Sequence, residues 1–222
     1  MDVDTTGPTE TLLEVADGAD LIEVLALRGW GDGLPLVAPT PTRVEAMLAG
    51  CTGTDPDEVI AVLPPRSGEA TRLSIAVNAV MAGCLPAHLP VLVSAVRALA
   101  HPDLNLRGVN ATTHCVAPLL VVHGDVARSA GYHGGLGAFG PGSRANATTG
   151  RALRLILLHT AAATPGDGDA PTQGRPAKYG LCGSEHLHAA TRTGYPPPAR
   201  ADAPAAADNH GPDAAAHRHA PD

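Results

Sequence analysis

The residues best suited to chemistry lie between Asn110 and His159. They are a polar cluster, Asn110-Ala-Thr-Thr-His-Cys115, a loop carrying Gly134, Gly135, Gly137, Gly140 and Gly142, and then Arg144, Asn146, Arg151 and Arg154. Glycine has no Cβ, so a loop this rich in it can take positive φ repeatedly and turn backbone N–H groups toward a ligand. Arginine forks match the oxygens of phosphate and carboxylate. A helix that includes or closely follows Arg144 aligns three guanidiniums beside the loop, which reads as a site for a small anion. The other reading is a solvated arginine face. Gly135, Gly137 and Gly140 also fit G-x-G-x-x-G, but a dinucleotide fingerprint needs its glycines directly after a strand and at the opening of a helix. The apolar run here ends near His123 and Pro141 follows the third glycine, so that reading is set aside.

His114 beside Cys115 offers a base and a thiol. Adjacent strand residues face opposite sides, so each needs partners from elsewhere. The alternative is a small core cysteine next to a hydrogen-bonded histidine. Cys84 is the other candidate thiol, because a thiolate near arginines has a lowered pKa and raised reactivity. His114 is the preferred acid/base, with Cys115 and Cys84 beside it as candidate catalytic groups. Asp32, in Trp30-Gly-Asp-Gly-Leu-Pro-Leu-Val37, either bonds its own turn or faces a ligand or metal. Asn78, in the middle of an apolar helix, either ties two elements together or faces a cavity. Both join Gly135, Gly137, Gly140, Gly142, Arg144, Asn146 and Arg151 as candidate substrate-binding residues. Cys182, Glu185, His186 and His188 could supply metal ligands but lack a matching partner set, so no metal ligands are assigned and the cofactor stays open.

The elements that must position these groups follow from periodicity. Leu21 to Leu27 reads as a helix ended by Gly29. Thr42 with Glu45 reads as a capping box opening a helix to Gly50. Val59 to Leu63 reads as a buried strand, which the two prolines end by Arg66, and Ser67-Gly-Glu-Ala70 as a loop that could hold an anion. Thr71 to Gly83 is apolar nearly all round and predicts a helix between layers, with a second helix from Pro86 to Ala100 beside it. Asp103 to Val109 reads as turns, Val116 to Val122 as a strand, and Asn146 as the cap of a helix to about Ala161.

Composition bounds the rest. A chain of 222 residues with 44% hydrophobic content supports one sizeable core. Aromatics make up 2% of the chain and the formal charge is −7, which excludes nucleic acid and an anionic membrane surface as the main partner. No apolar run reaches the roughly 18 residues of a membrane span, and the N-terminus is acidic where a secretory signal would be basic and then apolar. With four widely spaced cysteines, a cytoplasmic location with reduced thiols is expected. Residues 1–19 are expected as a mobile lead-in, 20–195 as an α/β domain with a mixed sheet flanked by apolar helices, and 196–222 as a low-complexity disordered tail.

The stretches GWGDGLPLVAPT, VLPPRSGEAT, AVNAVMAGCLP, NATTHCVAPLLVV, GPGSRANATTGRALRLILL and GRPAKYGLC together resemble a family of bacterial cytoplasmic proteins, often encoded near small UGSC-type selenoproteins or their cysteine forms. The resemblance is collinear from about Ile22 to Cys182. It implies thiol or selenol redox chemistry but assigns no catalytic positions. The chain departs from the family pattern at His123 and Ser143, where asparagine is usual, and after Cys182, where the pattern ends as a truncation or frame change would end it. The expectation is an enzyme or enzyme subunit handling a small anionic substrate. The alternative is a binding or scaffold subunit of a homo- or hetero-oligomer, completed by a protein partner.

Overall fold

The computed structural model describes residues 20–53 and 55–185. The expected lead-in, the expected tail, and His186 and His188 lie outside them. Helices and strands pack into a main core and a smaller cluster around Val122, Tyr132 and Cys182, an α/β arrangement as expected, and among the described residues the strands form three two-stranded pairs rather than one sheet.

Helix α1, Leu21–Leu27, is capped by the Asp20 carboxylate, and Gly29 follows its end at φ 70°. Helix α2, Pro41–Leu48, starts earlier than the capping-box reading: Thr40 is the N-cap and Pro41 takes the first helical position, which needs no N–H. Thr42 therefore lies inside the first turn. Strand β1, Val59–Leu63, pairs antiparallel with β2, Gly68–Thr71. The segment expected as an anion loop is thus mostly strand, and Gly68 explains it. A Cβ there would stand 1.7 Å from the Thr160 carbonyl oxygen, so only glycine lets the ribbon lie against the end of the last long helix.

Thr71 caps α3, Arg72–Ala82, and Gly83 ends it in the left-handed region at φ 87°. Ile75, Ala76, Ala79 and Met81 are fully buried, so the helix runs between neighbours, as its all-round apolarity requires. A single turn, Pro86–His88, leads into α4, Leu89–Leu99. The 103–109 stretch folds as α5, Leu106–Ala111, which is capped by Asn105 in the left-handed region and carries too few apolar residues for a periodic signal. The expected strand from Val116 shrinks to β3, Leu120–Val122, followed by α6, Asp125–Ser129.

The longest helix, α7, Arg144–His159, packs against α3 and α4. Its cap is Ser143, whose hydroxyl oxygen accepts from the Asn146 N–H at 3.2 Å; Asn146 is freed for another task. Ser143→Ala should cost about 1 kcal/mol in urea unfolding. Two short strands, β4 (Thr164–Pro165) and β5 (Gly168–Asp169), precede β6, Cys182–Ser184, which runs parallel to β3. At Gly180, with φ 152°, a Cβ would meet the Arg151 nitrogen at 2.5 Å. Glycine at 180 and at 150 brings the chain entering β6 against α7, which positions the end of β6 beside the glycine loop.

Candidate functional site

The parallel pair β3–β6 delivers two chain ends to one place. Beyond Val122 come His123 and Gly124, and beyond Cys182-Gly183 come Ser184 and Glu185. In α/β proteins the carboxyl ends of parallel strands are where crevices form. A cleft of about 270 Å³ lies here, with Gly124, Arg128, His133, Gly134, Gly135 and Glu185 on its walls. That volume sits just under the usual range for small-molecule sites.

His133 is on the wall of this cleft, and His123 stands behind it, bonded to the Glu185 carboxylate that lines the cleft; the partner of each ring fixes its neutral tautomer. His123 Nδ1 is 2.9 Å from Glu185 Oε2, and a carboxylate can only accept, so Nδ1 carries the proton and Nε2 is left basic in the neutral ring. His133 Nε2 lies 3.0 Å from the Leu136 carbonyl oxygen, which by the same logic leaves Nδ1 basic. A Cβ at Gly135 would stand 2.9 Å from His133 Cε1, so glycine makes room for the ring.

The loop itself is held from α7. Asn146 is 3% exposed, accepts the His133 N–H at 3.0 Å, and donates to the carbonyls of His133 and Ala138 at 2.8 and 2.9 Å. The His133 carbonyl also accepts from the Ser184 N–H at 3.2 Å, which joins loop and strand. Beneath them Tyr132 is buried, its hydroxyl 2.9 Å from Thr149 Oγ1, and burial pushes its pKa well up, so it is a neutral post. Arg128 pairs with Asp125 on α6.

The sequence-derived candidates divide. Gly135 and Asn146 take part in the cleft, the first in its wall and the second as the clamp behind it. Gly137, Gly140 and Gly142 shape the loop beyond the wall; Gly137 and Gly142 have φ of 76° and 127°, and Gly140 N–H closes a turn onto the Gly137 carbonyl at 2.8 Å.

The arginines serve the fold. Arg144 donates from Nε and Nη2 to the Gly83 carbonyl at 3.0 and 2.9 Å. Arg151 grips Asp32 through two 2.8 Å bonds, so carboxylate and guanidinium answer each other. Arg154 turns to Asp169. Asn78 is the structural tie: Nδ2 donates to the Ser74 carbonyl at 2.8 Å and Oδ1 faces His159 Nδ1 at 2.6 Å.

The thiol candidates change most. His114 and Cys115 lie in a loop rather than on a strand and are both exposed, so Cys115 is not a core residue either. His114 bonds Thr112, and no hydrogen bond joins it to Cys115 among the described residues. Cys84 does sit near Arg144, but burial outweighs that charge and the threonine bonds, and pushes its thiol up to about 11. Cys182 is pushed up to about 12 by burial and by Cys84. Neither buried sulfur is set up as a thiolate. Among the described residues no three His, Cys, Asp or Glu side chains gather as a metal site, and no helix is long and apolar enough to cross a membrane.

His123, His133 and Glu185 were not in the catalytic set read from sequence. The signal for His123 was present, a histidine and glycine directly after an apolar run; nothing local linked it to Glu185, 62 residues away. Comparison with family models, curated proteins and solved structures finds no match.

Proposed function

We propose that this chain is an enzyme, or the catalytic part of one, that moves a proton on a small molecule bearing an anionic oxygen in the cleft at the carboxyl ends of β3 and β6. The observation that carries this reading is one histidine on the cleft wall, His133, and a second, His123, bonded to the Glu185 carboxylate that lines it, each with one ring nitrogen tied to an acceptor. A neutral ring takes a proton from the ligand or from water at its free nitrogen. The partner ring, when protonated, returns one, and the proton count balances. Gly134 and Gly135 make no backbone N–H hydrogen bond among the described residues, and their N–H groups supply donors for an oxygen that gains charge. A cytoplasmic setting belongs to the same proposal, supported by four thiols that are all unpaired.

The test uses a panel of small carboxylates and phosphates in a thermal-shift screen, followed by NMR of the histidine ring protons. A true ligand moves the His123 and His133 signals together and binds at least about tenfold more weakly to Gly135→Val, whose side chain fills the wall against His133. A ligand whose shift survives Gly135→Val binds elsewhere and removes the cleft reading.

A second reading, a partner-binding subunit without chemistry, is favoured by one observation. Leu136 and Phe139, on the glycine loop, are 101% and 59% exposed. Sedimentation showing an oligomer that Leu136→Asp dissolves would select it.

A further inference from the structure

Arg154, on the third turn of α7, donates from Nη2 to the Ala163 carbonyl at 3.0 Å and to Asp169 Oδ2 at 2.9 Å. Lys178 Nζ donates to Asp169 Oδ1 at 2.6 Å. All three side chains are largely removed from water, at 12%, 14% and 2% exposure for arginine, lysine and aspartate. Two cations and one carboxylate leave one positive charge uncompensated in a region of low dielectric. Arg154 has five N–H donors and Lys178 three, so these bonds do not exhaust either.

Beside the triad is a small cavity of about 20 Å³, with Asn110, Pro118, Leu153, Arg154, Lys178 and Leu181 on its walls. No acidic side chain is among the residues that line it. Asn110 is 2% exposed, and its Nδ2 has no hydrogen-bond partner. The space is enough for one water-sized or slightly larger species. A water would satisfy the Asn110 donor and leave the charge; an anion satisfies both.

We infer that this cavity, between α5, α7 and residues 176–181, binds one small monovalent anion of chloride size, held by Asn110 Nδ2 and the ammonium and guanidinium of Lys178 and Arg154. The site shares no residue with the cleft. It ties α5 and the chain entering β6 to α7, and so couples halide concentration to the stability of the fold.

Crystals soaked in sodium bromide and measured at the bromine edge test this directly. An anomalous peak in the Asn110 cavity is expected; a cavity holding only water density overturns the inference. In solution, the unfolding midpoint should rise by about 3–6 °C for each tenfold increase in chloride beyond half-saturation, with gluconate keeping ionic strength fixed. Asn110→Asp supplies the missing negative charge from the chain itself, and Lys178→Met removes the excess positive one. Both should abolish the chloride dependence, while sparing ligand shifts in the histidine cleft. Undiminished chloride dependence in Asn110→Asp would overturn the assignment.

Discussion

Asp32→Ala is expected to lower the unfolding free energy by about 3–5 kcal/mol, enough to bring the midpoint down by roughly 10 °C. The carboxylate is 4% exposed and the Arg151 side chain 16%. Two bonds of 2.8 Å join them, Asp32 Oδ1 also accepts the Leu34 N–H at 3.2 Å, and Arg151 Nη2 donates to the Leu34 carbonyl at 3.0 Å. Burial alone would push the Asp32 carboxyl up. The bonds and charge of Arg151, with the Leu34 N–H, override that and hold it below the usual carboxylate range. Truncation leaves a guanidinium short of water and of its counter-ion, which is the costly arrangement. A double change, Asp32→Leu with Arg151→Met, removes both charges and should recover much of the loss. Urea unfolding of the three variants checks this; an Asp32→Ala loss below about 1 kcal/mol would mean the pair is solvated and free to meet a ligand.

The second large effect is on acid stability. His159 stands at the last position of α7, with Nδ1–H donated to Asn78 Oδ1 at 2.6 Å and Nε2 buried without a partner. Burial pushes its pKa down to about 4, against a smaller opposing pull from the Asp32 charge. The unfolded ring titrates near 6.5. Between about pH 6.5 and 4 the unfolded chain therefore binds the extra proton, and stability falls as pH falls, by about 3 kcal/mol over the window. The loss levels off once the native ring protonates near pH 4, where the depressed Asp32 group begins its own loss. His88 is also held below its ordinary value, mainly by burial, and adds to the same slope. His159→Gln keeps a donor for Asn78 and removes the titration. Its urea midpoint should be flatter between pH 4 and 6.5 than that of the native chain; an unchanged slope would show that this ring does not set the acid limit.

The helices were legible because their apolar residues recur at the right spacing, as Leu25, Ile75 and Val96 show by their burial. Where the sequence misled, a tertiary cause is visible. Gly68 looked like a loop residue, yet it is the point where the β-ribbon meets the Thr160 carbonyl. The arginines on α7 looked like an anion face because their partners lie elsewhere in the chain: Arg144 donates to the Gly83 carbonyl, 61 residues away, and Arg151 to Asp32, 119 residues away. Cys84 looked reactive beside arginine because spacing carries no measure of burial, and burial decides its thiol. The glycine loop was found from composition alone. The histidine–carboxylate pair near it was not, since Glu185 meets His123 only after β6 has been laid parallel to β3.

The Asn146 clamp gives the loop a rhythm of its own. Because one buried amide side chain holds both the N–H and the carbonyl of His133, the backbone of this residue exchanges its hydrogen with solvent only when the loop lifts from α7. Protection at His133 therefore reports the same opening that would carry its ring away from the cleft. The wall beside His133 is thus held in place before anything enters the cleft, and a single asparagine sets how firmly.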